Sequence, residues 1–256
     1  AVVASVIAAE GAVADGVVAF ARHHHPTRDE RFMRVAKLRG SGYLEGPHAI
    51  HIGPTGVKVY PRLVSPPVTS EYEVVRERVT TGTPGLDEMM GGGVWRGATT
   101  LGVWPTGSRK ATLGLHFVSA GVRAGEPALY VNFQENPTQL LRTLDGIVGD
   151  AEALRHQGLQ LKYASAVELQ IDRLIVEIFE QIDRRGITRV VIDAVGDLAM
   201  AAADTQRIHD YLYALVQRFA VRGITALLML EAPSLTIGGP ELEFTRLSYM
   251  ADHLGL

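Results

Sequence analysis

The sequence predicts an α/β fold with a mainly parallel sheet, preceded by a β-hairpin-rich segment. Three observations carry this. From residue 99 onward short apolar runs alternate with amphipathic stretches of helical length. Ahead of that the apolar pattern has period two around turn signals, and Pro66-Pro67 separates the two regimes. In the first regime, residues 16–21 are a β-rich run, and residues 31–38 alternate Phe32, Arg34, Ala36 and Leu38 against Arg31, Met33, Val35 and Lys37. Residues 48–52 and 56–60 flank a Pro-Thr-Gly turn. About 60 residues of hairpins make a thin independent domain, so this segment is expected to lean on something else. Two prolines among small polar residues then suit an extended linker over 64–77, leaving residues 1–63 before it and 78–256 after it.

In the second regime, residues 99–103 read as a strand, 110–123 as a helix closed by Gly125, and 128–133 as a strand. Asn136 is placed as an N-cap with Pro137 at the first helical position, opening a helix through residue 144. Residues 159–164 form the next strand, 169–185 an amphipathic helix ending before Gly186, and 188–192 a buried strand. A helix over 204–221 and a strand over 224–230 follow. Such alternation implies right-handed crossovers, and ligands of the resulting sheet bind at the carboxyl ends of its strands.

Composition narrows the chemistry. The 256 residues include no cysteine, which excludes disulfides, thiolate metal sites, iron-sulfur clusters and a cysteine nucleophile; a metal must use His, Asp or Glu. With 28 acidic and 25 basic residues the net charge is −3 and the pI about 6.3, so no global basic field recruits nucleic acid or an anionic membrane. The apolar stretches are too short or too interrupted to span a bilayer, and no basic region precedes the N-terminal apolar run. A soluble, cytoplasmic protein is the expectation. His23, His24 and His25 sit in a row, but neighbours on a strand alternate faces, which favours an exposed turn ended by Pro26 over a metal site. Asp183-Arg184-Arg185 and residues 218–222 read as polar helix ends. Trp95 and Trp104 suit either stacking on a base or burial.

The strand at 99–103 runs into Trp104-Pro105-Thr106-Gly107-Ser108-Arg109-Lys110-Ala111-Thr112, and a helix follows. A phosphate loop between strand and helix needs Gly-x-x-x-x-Gly-Lys-[Ser/Thr]: glycines for the tight wrap, lysine for the β/γ oxygens, a hydroxyl for Mg²⁺. Lys110 and the context fit. Trp104 and Arg109 stand at the glycine positions, and Ala111 replaces the hydroxyl.

The surrounding residues resemble the KaiC-like branch of the RecA superfamily of P-loop ATPases. Residues 78–97, opening Arg78-Val79-Thr80-Thr81-Gly82-Thr83-Pro84-Gly85-Leu86-Asp87 and continuing through Gly91-Gly92-Gly93, are similar to that family's opening signature. Residues 126–135, ending Asn132-Phe133-Gln134-Glu135, resemble its second strand with a paired acidic site. Arg189-Val190-Val191-Ile192-Asp193 resembles the Walker B strand, and residues 247–252 the segment leading into the terminal strands. Ala14-Asp15-Gly16-Val17-Val18, residues 34–41 with Lys37-Leu38-Arg39-Gly40-Ser41, and residues 50–61 resemble the last strands of a KaiC-type domain. The resemblance thus implies a C-terminal β-rich tail of a first domain over 1–63, and a second RecA-like core over 78–256 lacking its terminal strands. In the other arrangement left open, residues 1–63 complete the sheet of 78–256.

The resemblance further implies ATP and Mg²⁺ as ligands, with Gly107, Ser108, Arg109, Lys110, Ala111 and Thr112 around the phosphates and Asp193 and Thr112 near the metal. Glu135 remains as the carboxylate that activates water, whereas Gln134 replaces its usual partner and an amide cannot take a proton from water. Lys37 and Arg39 correspond to cations that reach the nucleotide of a neighbouring subunit, with a solvated edge strand as the other reading; Tyr43 stands where the family has histidine near the base. Ser248 matches one of two autophosphorylated positions, although Tyr249 occupies the other and serine is common filler there. The expected function is an ATP-binding, regulatory or signalling protein assembled as a homo-oligomeric, hexameric ring, with hydrolysis in the second domain impaired and protein partners plausible. The alternatives are a non-hydrolysing RecA-like scaffold that binds protein partners, and a DNA recombinase or helicase relative. Net charge and the lack of a basic, aromatic-interleaved strip count against the last.

Overall fold

The computed structural model describes residues 13–24, 29–66, 75–105, 110–201, 205–232 and 251–255. Contacts divide the chain into two units, residues 1–63 with 170–176, and residues 64–169 with 177–256.

The first unit is an antiparallel sheet of β1 (Gly16–His24), β2 (Asp29–Leu38), β3 (His48–Gly53) and β4 (Gly56–Tyr60), paired in chain order. Cross-strand partners share a face, so the register Phe32 to Ala49 and Ala49 to Tyr60 gathers these three into a small buried core with Val176 against it. His48 is buried beneath the loop: its Nδ1 accepts from the Arg62 amide at 3.1 Å, so its Nε2 carries the proton donated to the Leu44 carbonyl at 2.9 Å. His23 and His24 belong to β1 rather than to a turn, and His24 pairs with Asp29. They are exposed, as expected, and no cluster of three or more metal-ligating side chains occurs among the described residues.

The second unit opens with a two-stranded ribbon, β5 (Arg78–Val79) and β6 (Val94–Trp95), around the short helix α1 (Pro84–Met89). Asp87 pins it, accepting from the hydroxyl of Thr80 and from the amide and hydroxyl of Thr81. Gly82 and Gly93 both have positive φ, and a Cβ would strike the backbone oxygens of His116 and Val79 at 2.4 and 2.2 Å. Only glycine permits that conformation and that approach. Trp95 is not free for a base: the Arg78 guanidinium lies over it, 4.0 Å from the ring centre.

The α/β core follows as β7 (Thr99–Pro105), α2 (Lys110–Arg123), β8 (Ala128–Asn132), α3 (Pro137–Val148), α4 (Ala151–Gln157), β9 (Leu159–Tyr163), α5 (Ile171–Arg185), β10 (Arg189–Asp193), α6 (Val195–Ala201), α7 (Thr205–Val221), β11 (Thr225–Ala232) and β12 (His253–Gly255). The strands form one sheet in the order β12-β7-β11-β10-β8-β9, with every described pairing parallel. Strands β8 and β10 are buried at all positions, as apolar runs covered on both faces must be. Asn136 caps α3 through Gln139 N as expected, but the helix continues past residue 144 to Val148 and stops at left-handed Gly149. Ile147 and Val148 extend the buried period of Leu140 and Leu144, which outweighs the cost of Gly146 inside the helix. Helix α4, unexpected from the pattern, carries its own signals: Asp150 caps Ala153 N, Ala151 and Leu154 are buried, and Gly158 follows.

At the amino ends of the strands a buried ion network locks the ribbon to the sheet. Arg189, 1% exposed, donates to Glu126 and to the carbonyls of Thr80 and Phe117. Arg96 bonds the other Glu126 oxygen at 2.6 Å and reaches Glu77. The guanidinium passes across Gly121 of α2, where a Cβ would lie 2.3 Å from Arg189 Cδ. Gly121→Ala therefore overpacks a fully buried cation, and we expect a loss of about 1–3 kcal/mol, read as a lower urea midpoint at unchanged slope.

Candidate nucleotide site

Parallel pairing brings the ends of β7, β8, β10 and β11 to one edge, and the polar side chains collect there. Lys110, the first residue of α2 after β7, has its ammonium 2.7 Å from Glu231 Oε1 on β11 and 3.4 Å from Asp193 Oδ1 at the end of β10. Burial opposes the lysine charge, but the Glu231 hydrogen bond and the two carboxylates outweigh it and hold its pKa above the ordinary lysine value. Burial pushes the Asp193 carboxyl above its usual range, against the Tyr130 hydrogen bond and the Lys110 charge.

Tyr130, fully buried on β8, donates its hydroxyl to Asp193 Oδ2 at 2.6 Å. Burial and then the Asp193 charge drive the phenol pKa well up, so the hydroxyl stays protonated and acts as donor. Its ring fits because residue 114 of α2 is glycine; a Cβ there would lie 2.8 Å from Tyr130 Cε2. Ala111, in the first turn of α2, supplies no hydroxyl, and the hydroxyl that holds Asp193 comes from the neighbouring strand instead.

Trp104, at the first glycine position of the motif, folds back along β7: a Cβ at Gly102 would sit 1.9 Å from its indole. The ring is half-buried and lines an apolar cavity of about 160 Å³ with Leu86, Met90, Leu113 and Phe117. Burial is thus the reading of Trp104 that fits. On β8, Asn132 Oδ1 accepts from the amides of Gln134 and Glu135 at 2.8 and 3.1 Å and fixes the turn beyond the strand. The Gln134 amide donates to Asp197 at 3.2 Å, so it is tied to α6, while Glu135 Oε2 is buried without a hydrogen-bond partner.

The structure therefore brings together Lys110, Asp193, Gln134 and Glu135, with Ala111 and Thr112 in the first turn of α2. Gly107, Ser108, Arg109 and Ser248 lie outside the described residues. Lys37 and Arg39 belong to the first unit, and β2 ends at Leu38, one residue before Arg39. Arg39 instead leaves the strand and bonds Asp15 through its amide at 2.8 Å and its side chain at 3.4 Å. Tyr43 lines an open cavity of about 540 Å³ with Arg34 and Arg62 in that unit. Sequence reading missed Tyr130, Asn132, Asp197 and Glu231. For Asn132 and Glu231 the available signal was a polar side chain near the carboxyl end of an apolar strand; Tyr130 inside β8 and Asp197 on α6 carried no such signal.

A nucleotide-bound Mg²⁺ needs only one or two protein carboxylates, the phosphates and waters filling the rest of its shell. Asp193 Oδ1, buried without a hydrogen-bond donor, fits such a role, whereas Ala111 cannot contribute. Among known proteins, the family model "ATPase: KaiC" matches residues 79–249, two thirds of the chain. The chain belongs to the KaiC ATPase family. It is 30% identical over 193 residues to the circadian clock protein KaiC2 of Synechocystis sp., covering 71% of this chain and 33% of that one. It is 32% identical over 147 residues to the circadian clock oscillator protein KaiC of Prochlorococcus marinus, covering 57% and 29%. The chain thus spans about a third of the length of these curated relatives. Its core is of the RecA-like KaiC ATPase type, and none of its described helices is long and apolar enough to cross a membrane.

In this KaiC-type core the Tyr130 to Asp193 bond is expected to carry measurable stability. Tyr130→Phe strands a buried carboxylate oxygen, and urea unfolding at neutral pH should show a loss of about 1–3 kcal/mol.

Proposed function

We propose that the second unit binds ATP or ADP with Mg²⁺ but hydrolyses ATP poorly, and that it does so within a homo-oligomeric, hexameric ring with a regulatory output. The single observation behind this reading is the meeting of Lys110 and Asp193, 3.4 Å apart at the carboxyl edge of a parallel sheet, where α/β proteins bind ligands. Asp193 would hold Mg²⁺, which would supply positive charge against the phosphates. Lys110 supplies a point charge for phosphate oxygens. Asp193, fixed by Tyr130 through Oδ2, has its Oδ1 without a hydrogen bond and 3.4 Å from the Lys110 ammonium. Glu135 would be the carboxylate that takes a proton from water, and Gln134, an amide bound to Asp197, cannot assist.

Residues 1–63 fit the tail of a preceding KaiC-type domain, and Lys37 and Arg39 would then serve the nucleotide of an adjoining chain. The clock names of the relatives support a regulatory rather than a metabolic role. The nucleotide-independent scaffold has one observation in its favour, since the Lys110 charge is already neutralised within the chain. Isothermal titration and a phosphate-release assay test the choice. The chain should bind ATP with Mg²⁺ and release little phosphate, and Arg109→Gly/Ala111→Thr should raise turnover at least tenfold. Strong turnover that the double substitution leaves unchanged overturns the impaired-site reading, and ring assembly without nucleotide on a sizing column favours the scaffold.

A further inference from the structure

Resting on the nucleotide reading above, we propose that Glu231 sets the nucleotide affinity of this site: its carboxylate occupies the Lys110 ammonium that phosphate must use, so phosphate binds as Glu231 turns away. The two carboxylates do not hold Lys110 equally. Glu231 makes the short, charge-assisted contact at 2.7 Å, whereas Asp193 stands off at 3.4 Å with its other oxygen taken by Tyr130. Between two carboxylates the lysine leaves the cluster with one more negative charge than positive. An arriving phosphate meets repulsion until one carboxylate leaves.

Asp193 is the wrong one to move. It is buried, it sits at the end of the central strand β10, and its removal would strand the Tyr130 hydroxyl. The Glu231 side chain is 30% exposed against 6% for Asp193. Its backbone is held in register opposite Trp104 of β7, so release needs only rotation about its own side-chain bonds. The geometry thus divides the labour: Asp193 stays with the metal position, and Glu231 competes with phosphate for one ammonium. A sequence motif search cannot see this, because Glu231 lies 121 residues from Lys110.

Glu231→Gln keeps the size of the side chain and removes its charge. Titration with ADP alone, at low ionic strength, should give roughly two- to fivefold tighter binding than the unsubstituted chain, in the range of a partly exposed ion pair converted to affinity. The same substitution should raise the rate at which an amine-acylating reagent labels Lys110, read by peptide mass spectrometry, and ADP should suppress that labelling. A thermal melt within a few degrees of the unsubstituted protein confirms that the variant folds. Equal or weaker ADP binding by the variant, with the parent still binding, overturns the role of Glu231 and leaves the nucleotide reading intact. Binding of ADP by neither protein overturns the nucleotide reading and the competition with it.

Discussion

Parallel pairing of β7, β11, β10 and β8 is the constraint on which the rest of this molecule depends. Parallel strands require a crossover between each pair, so both faces of the sheet are covered and the strands are buried throughout. The same constraint sends every strand end of one polarity to one edge. Lys110, Asn132, Asp193 and Glu231 are far apart in the chain, yet each closely follows or ends a strand, and so they converge.

Both edges of the sheet hold buried charge. At the amino edge Arg189, Glu126, Arg96 and Glu77 form a closed network, each charge met by an opposite charge or a carbonyl. Such a network is costly to break because removing one member leaves another buried and unpaired. At the carboxyl edge Asp193 Oδ1 and Glu135 Oε2 are buried without hydrogen-bond donors. Buried polar atoms are nearly always satisfied, and exceptions mark places where something other than stability is served.

The departures from the phosphate-loop pattern become intelligible through glycines elsewhere. Trp104 at a glycine position is accommodated because Gly102, two residues back on the same face, leaves space for the indole. The hydroxyl missing at Ala111 has a counterpart in Tyr130, whose ring lies against Gly114 one turn along α2. In both cases a large side chain takes an unusual place only because a neighbour has none. That is a packing relation rather than a motif, and it explains why a motif-based reading registers the departures but not the arrangement that admits them.

Much of the fold was legible from local chemistry. The apolar runs of β8 and β10, the Asn136-Pro137 helix start, and the glycine-rich signature at residues 80–93 state their conformations in their own residues, since periodicity, caps and positive φ are properties of a few neighbours. Lys110 and Asp193 were legible as site residues for the same reason, each standing at the end of a recognisable strand pattern. Tertiary structure alone decided the rest. The length of α3 depended on Ile147 and Val148 finding the core, the burial of Trp104 on Gly102, and the state of Lys110 on Glu231, which is close in space only because β11 lies beside β7. Sequence determines what each side chain can offer; which partner receives it follows from strand order, because that order is settled by burial summed over the whole sheet and not by any local run of residues.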